Sequence, residues 1–576
     1  MRITRPALAM VLVTALAVPT LTASTAAWTD SEWVHGAEVG TATYACGTDA
    51  RFESTAAGRF LSGSLLGLDL DTVAAVEGMR LDLDSSGLDI DPATALDLGA
   101  PPPAHAYANP LSVTVLGDAV KVDLTGLGVG LPVGSAGALN QYARVSPHGT
   151  AAGASGLVSN SGGVLVTAGT PDSELPEPAR ITLDELLPGI ADVASVDLEV
   201  GAVAASSVLD GCAELRSDLW GDGTVTGVVR DYGIAGLGLE LESTLLSSLV
   251  GTVESGLISI SDAVDALLGT SGLISQEIGA ELQLALPGLA VAALSGSVTI
   301  SDLDLPGAVA DLLGATPTDG VVALDLRAGA VHVDLDALLS PGPGGLNDLA
   351  PNTEIVVNAD VLAPIAQRAG ALIDTWTSAV LDALTAELRD ARLGIDLGTT
   401  VSLTGTPIVE VGITLDATLG AVLDGTASFG ITTEVLGLVG VLDLLLSPLG
   451  LSVSGILATL GGLATGLIGP TAGVIADTAL AAVTTLGGDL GDVATVVLEL
   501  LDDLVAALPN VLSVMVNVQP DQPGAPPGSV VAPAGPRSTP QYTVSALRIG
   551  LTDGLAPPSV AVLLFGTASA GPVVDP

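Results

Sequence analysis

Residues 444–476, LLLSPLGLSVSGILATLGGLATGLIGPTAGVIA, run for 33 positions without a charged side chain. No other feature narrows the folding options so far, because a run of this kind must leave water, either in a bilayer or inside the protein. Gly462 and Gly466 make a GxxxG pair of the sort that brings membrane helices together. Pro448, Pro470, the abundant glycine and the absence of Lys or Arg on either flank oppose a span, since basic residues normally accompany one. The run therefore reads as buried, closely packed helices, and no integral membrane segment is expected in the mature chain.

Missing basic flanks are one instance of a wider bias. The formal charge is −48, with 64 acids set against 15 Arg and the single Lys121. Between Arg392 and Arg537 lie 144 residues with no Lys or Arg and 13 Asp or Glu. Such a surface cannot neutralise phosphates, which excludes DNA and RNA as partners and disfavours anionic lipid headgroups. Aromatic residues are 2% of the chain, so its cores must be built from Leu, Val, Ile and Ala.

The N-terminus, MRITRPALAMVLVTALAVPTLTASTAAW, has Arg2 and Arg5 before an apolar stretch from Ala7 to Val18, then small residues up to Ala27. That is the layout of a secretory signal peptide, with cleavage expected at Ala26 or Ala27. An exported chain with two cysteines, Cys46 and Cys212, is expected to join them in one long-range disulfide.

The mature chain is too long for one core and reads as α+β. After the signal peptide (1–27), a β-rich N-terminal domain occupies 28–235, where alternating or β-branched runs are punctuated by glycine. Gly117-Asp118 marks a hairpin there, PPPAHAYANP a surface loop, and 141–163, rich in Gly, Ser and Ala, a loop or thin edge strand. DLWGDGTVTGVVRD is assigned to strand, and short helices are expected near Leu70–Glu77 and in ITLDELLPGI. A mixed Leu/Gly-rich helix-and-strand region follows over 236–518. Its clearest helix starts at Pro364, presents Ile373, Trp376, Val380, Leu384, Leu388 and Ala391 on one face, and is expected to end at Gly394 with Arg389 and Arg392 in its last turn. A Pro-rich loop (519–541) and C-terminal strands (542–576) complete the chain.

Motifs for chemistry are sparse. LDLDSSGLDIDP, residues 81–92, places Asp82, Asp84, Ser86 and Gly87 where a helix-loop-helix calcium loop needs them, but position 12 is Ala93 instead of Glu. It reads as a hairpin turning at Ser85-Ser86-Gly87. Leu81, Leu83, Leu88 and Ile90 point inward, and Asp82, Asp84, Asp89 and Asp91 point outward as candidates for weak calcium binding. His35, His105, His148 and His332 make no close ligand pair, and no GxSxG elbow, P-loop or GxGxxG turn is present. No cofactor or catalytic residue is expected.

The strings RFLSGSLLGLDLDTVAAVEG, NPLSVTVLG, LNQYARVSPHGTAAGASGLVSNSG and ELRSDLWGDGTVTGVVRDYGIAGLGLELES resemble the choice-of-anchor G family, exported surface proteins of high-GC Gram-positive bacteria. The resemblance extends to VSALRIGL and implies a shared body carried on differing C-terminal anchors. This chain ends GTASAGPVVDP, without Leu-Pro-x-Thr-Gly, apolar tail or basic stop, so release or non-covalent retention is expected. The functional expectation is a non-enzymatic, secreted or surface-associated cell-envelope protein with a structural or interaction role and cell-wall or surface components as partners. A secreted binding protein for an apolar, lipid-like ligand is the alternative, and a secreted hydrolase ranks third. An apolar cavity would favour the second, and carboxylates converging in a cleft the third.

Overall fold

The computed structural model describes residues 51–575 apart from 66–67, 71–76, 111–128, 131–139, 168, 171–174, 177, 184–186, 188–192, 221–225, 340–343, 528, 530, 532–534, 536 and 553–560. The signal peptide, Cys46, the Gly117-Asp118 hairpin and most of the two short helices expected near 70–77 and 181–190 lie outside the described residues.

The chain begins as strand upon strand. β1 (Glu53–Leu65), β2 (Leu68–Asp69), β3 (Met79–Asp84), β4 (Gly87–Asp91), β5 (Leu96–Asp97) and β6 (His105–Ala108) come first. β7 (Val129–Gly130), β8 (Asn140–Ser146), β9 (Thr150–Gly156), β10 (Ala179–Thr182) and β11 (Val193–Asp210) follow, and helix α1 (Gly211–Trp220) leads into β12 (Val228–Ser243). Helices and strands then alternate through α2 (Thr244–Leu267), α3 (Leu273–Ala285), β13 (Ala290–Val291), β14 (Ser295–Ser301), α4 (Leu305–Gly314), β15 (Val322–Asp325) and β16 (Ala330–Asp334). Next come α5 (Leu335–Leu339), β17 (Thr353–Ile355), α6 (Ala359–Leu362), α7 (Pro364–Asp390) and the hairpin of β18 (Arg392–Leu403) with β19 (Thr406–Thr418). α8 (Leu419–Leu423), β20 (Gly430–Val435), α9 (Val439–Leu446), α10 (Val453–Gly466), α11 (Ile468–Ile475) and α12 (Ala481–Ala507) precede β21 (Leu512–Val518), β22 (Tyr542–Leu551) and β23 (Ala561–Val574). The fold is α+β, as the alternation of patterns implied.

Three antiparallel sheets organise these elements. The first runs β17-β21-β22-β23-β1-β3-β4, so strands from both ends of the chain share it. β23 lies along β1 from Glu53 opposite Val574 to Leu65 opposite Ala561. The second runs β15-β16-β12-β11-β9-β8-β6-β5, with β10 also paired to β11. The third, β13-β18-β19-β20 with β14 against β18, lies among the helices. The boundary drawn at 235/236 falls inside β12, a continuous 16-residue strand, and the C-terminal strands are partners of the N-terminal ones.

Several local readings are corrected. Within 141–163, only the turn at 147–149 and residues 157–163 are irregular; β8 and β9 are interior strands of the second sheet, not loop or edge strand. Their small side chains suit close packing of the first sheet on the second. A Cβ on Gly58 would lie 2.0 Å from the Ala154 carbonyl oxygen. His105–Ala108 is strand β6 within the supposed surface loop, and Ile181-Thr182 belongs to β10, not to a helix. Asp218, Leu219 and Trp220 end α1, so the DLW of DLWGDGTV is helical.

In α7, Ile373, Trp376, Val380, Leu384 and Leu388 are buried as the spacing required, and Trp376 Nε1 donates to the Leu312 carbonyl at 2.9 Å. The helix ends earlier than expected, with Ala391 as its C-cap. Arg392 and Gly394 already belong to β18, whose ladder takes over the backbone hydrogen bonds.

The uncharged run 444–476 is helical but not buried throughout. Leu446, Val453, Ile456, Leu460, Leu467 and Ile475 face the core. Gly461, Gly462, Gly466, Gly469 and Gly473 face outward, where a Cβ would meet nothing within 4 Å. These glycines therefore serve no close helix contact. From Val453 to Ile475 the run is amphipathic by side-chain size, with large residues inside and most of the Gly, Ala, Ser and Thr outside, whereas Leu444, Leu445 and Leu449 before it are exposed. By length and composition α2 and the helical stretch Val453–Asn510 could each cross a membrane.

Candidate functional site

The aspartate hairpin forms as expected. β3 and β4 pair with Asp82 opposite Asp89, Leu81 opposite Ile90 and Leu83 opposite Leu88. Three of its carboxylates already have partners, Asp89 through the Ile90 amide at 3.1 Å. Asp82 accepts from Arg80 Nε at 2.6 Å and from the Thr55 hydroxyl at 2.6 Å. Burial pushes its carboxyl up, but the bonds from Arg80 and Thr55 outweigh that and hold it below the usual carboxylate range. Asp84 Oδ1 accepts from the Ser86 hydroxyl and from the amides of Ser86 and Gly87 at 2.6–3.1 Å. The Ser86 bonds hold that acid low too. These contacts shape the turn, and the four aspartates do not converge on one point.

A different set of groups does converge, on the outward face of the second sheet. β11 alternates Val196, Leu198 and Val200 into the core with Asp197 and Glu199 on the opposite side. β12 does the same with Leu237, Leu239 and Leu241 inward and Glu240 outward. Register then aligns the polar row, with Arg180 opposite Glu199 and Glu240 opposite His332. Arg180 reaches across three strands: its Nη2 binds Glu199 Oε1 at 2.7 Å and its Nη1 binds Glu240 Oε2. His332 Nδ1 stands 3.8 Å from Glu240 Oε1. One donor atom each from Glu199, Glu240 and His332 lies within 4.8 Å of the other two.

The row borders a pocket of about 580 Å³. Its lining is glycine-rich, with Gly201, Gly236 and Gly238, and includes Pro176, Pro178 and Val321. The Thr318–Val321 wall is braced by Asp319, which accepts from the amides of Val321 and Val322 at 2.9 Å and binds Arg368 Nη1 at 2.7 Å. Glu240 is 7% exposed. Burial pushes the Glu199 carboxyl up; Arg180 opposes this, Glu240 adds to it, and the net direction is upward. Chemically the arrangement offers two acids, one imidazole and a guanidinium that orients both acids.

Residues 56–571 match a family described as a domain of unknown function, DUF8394. The chain belongs to this family. The match runs from β1 into β23, so it takes in strands of all three sheets, the helices and the pocket. No curated protein and no solved structure matches the chain.

Nothing in the spacing of the sequence singled out Arg180, Glu199 or Glu240, and His332 appeared only as one of four scattered histidines. The available signal was strand alternation, which puts Glu199 and Glu240 on the face opposite the leucines. Cys212 is buried near the start of α1 and is disulfide-bonded; the other cysteine of the sequence is Cys46. A second polar cluster is structural. Tyr542 donates to Glu214 Oε1 at 2.8 Å, and Glu214 Oε2 accepts from the Thr226 and Gly227 amides.

Proposed function

We propose that this chain is an exported cell-envelope or surface protein that works as a structural or interaction module, without turnover. The observation that carries the reading is an apolar corner at α9. Leu438, Val439, Val441, Leu444, Leu445 and Leu449 are all at least half exposed, reaching 77% at Leu438. Contiguous exposed apolar side chains of this kind mark contact surfaces. The one charge among them, Asp443, accepts from the Val453 amide at 2.8 Å and so helps hold the corner in shape. With no Lys or Arg between 393 and 536, the corner suits an apolar, uncharged face of another envelope component.

The lipid-ligand alternative draws less support. The groove of about 820 Å³ between α2 and α12 has Leu486 and Val493 as its large apolar side chains, and the rest of its lining is small or polar, with Asp489 and Asp492 among it. The hydrolase reading is favoured by one observation, the convergence of Glu199 and Glu240 beside a pocket. Arg180 counts against it, because its fork occupies one oxygen of each acid.

Secretion of the full chain from a Gram-positive host, followed by fractionation of medium and envelope, tests the proposal. Wild-type protein is expected in the envelope fraction, and Leu438→Ser with Leu444→Ser is expected to shift most of it to the medium at unchanged melting temperature. An unchanged distribution would overturn the reading.

A further inference from the structure

We infer that Glu199, Glu240 and His332 form a binding site for a divalent transition-metal ion of the zinc type. Three observations combine. The donor set is two carboxylates and one imidazole, a mixture of hard and borderline ligands that suits zinc and its neighbours better than calcium, which takes oxygen alone. All three come from neighbouring strands, so the backbone ladder fixes their spacing: Glu240 and His332 are directly opposed on β12 and β16.

The third observation concerns His332. It has no hydrogen-bond partner among the described residues, and its Nδ1 sits 3.8 Å from Glu240 Oε1, too far for a hydrogen bond. Two ligands at about 2.0–2.1 Å from one tetrahedral ion stand about 3.3 Å apart. A contraction of half an ångström therefore turns a gap with no bond into an edge of a coordination sphere.

Arg180 supplies the outer support. By taking Oε1 of Glu199 and Oε2 of Glu240 it leaves the other oxygen of each acid for a ligand, and Glu240 Oε1 is the one that faces the imidazole. Metal-bound carboxylates are commonly oriented by such second partners. Two acids and one guanidinium leave a net negative charge to receive a cation, and the adjoining pocket of about 580 Å³ gives the ion a route in and room for water. The ion would clamp β11, β12 and β16, a role that needs no turnover and does not depend on the surface-contact reading above.

The experiment uses the full secreted chain, stripped with chelator and titrated with Co²⁺, whose visible absorption reports nitrogen and oxygen ligands in a low-symmetry site. The chain's many surface acids bind cations loosely without producing that spectrum. One equivalent of Co²⁺, displaced by Zn²⁺, is the expected result. His332→Ala and Glu240→Gln are each expected to abolish the band and weaken binding at least tenfold, while Glu242→Gln, two residues along β12, leaves both unchanged. Circular dichroism confirms that each variant is folded, and Glu199→Gln serves as a further ligand variant if Glu240→Gln is not. A wild-type protein without the band, or a band that survives His332→Ala, would overturn the inference.

Discussion

The carbonyl oxygen of Ala57 lies 2.1 Å from the point where a Cβ on Gly153 would sit, and the Ser569 oxygen lies 2.4 Å from it. β1 and β23 of one sheet thus press their backbones directly onto β9 of the other. Both obstacles are backbone atoms, so no side chain can swing aside. Gly153→Ala should force the sheets apart and cost about 3 kcal/mol, at the upper end of ordinary overpacking. Urea denaturation of the variant against wild type measures it, and a change below ~1 kcal/mol would mean that the sheets yield easily.

Gly461 and Gly462 predict the opposite sign. Both lie inside α10 with open space around the Cβ position. Glycine there carries its full conformational cost without any packing return. Alanine at either position should stabilise the protein by about 0.5–1 kcal/mol. Thermal melts of the single variants decide the matter, and destabilisation would show that this outer face is covered by something in the folded protein.

Arg230 and Asp521 predict a pH dependence. Their side chains are 7% and 14% exposed, and Arg230 Nη2 binds Asp521 Oδ2 at 2.7 Å. The guanidinium also lies 5.4 Å from the centre of the Tyr542 ring. Burial pushes the Asp521 carboxyl up, but hydrogen bonds from Arg230 and Gln522 outweigh it, and the folded-state value is depressed. A depressed carboxylate contributes stability that is complete above its unfolded value of about 3.9 and is lost as pH falls through the folded one. Asp521→Asn should therefore cost about 3–5 kcal/mol at pH 7, since it leaves the arginine buried without its counter-charge. The difference from wild type should shrink below pH 4 in denaturation curves taken across the acid range.

The parts of this fold legible in sequence are the local ones. The β3–β4 hairpin needed only alternation and a Ser-Ser-Gly turn, and α7 needed only its apolar face. The interior position of β8 and β9 is not legible, because glycine and alanine look like loop or thin edge strand until a second sheet is known to press on them. The β1–β23 pairing joins Glu53 to Val574, a contact that no local pattern announces. The candidate metal site is hidden for the same reason. Arg180, Glu199, Glu240 and His332 stand on four separate strands, and alternation gives their face but not their register.

The last prediction concerns Cys212. It is 3% exposed and belongs to a small core with Phe52, Leu209, Leu215 and Val573, where β1, β11, α1 and β23 meet. It is disulfide-bonded, and the sequence offers Cys46 alone as its partner. The bond would tie the segment preceding β1 to the helix that follows β11, at the seam between the two large sheets. In the chain-entropy account, closing so long a loop restricts the unfolded state by up to about 5 kcal/mol, and native-state strain reduces the gain. Paired Cys46→Ala and Cys212→Ala substitutions should therefore lower stability by roughly 2–4 kcal/mol. Alkylation of the native secreted protein without reductant should label neither thiol, and a peptide linking Cys46 to Cys212 should appear in a non-reducing digest. Labelling of both residues, or a bond from Cys212 to a second copy of the chain, would show that the seam is held by packing and the β1–β23 ladder alone.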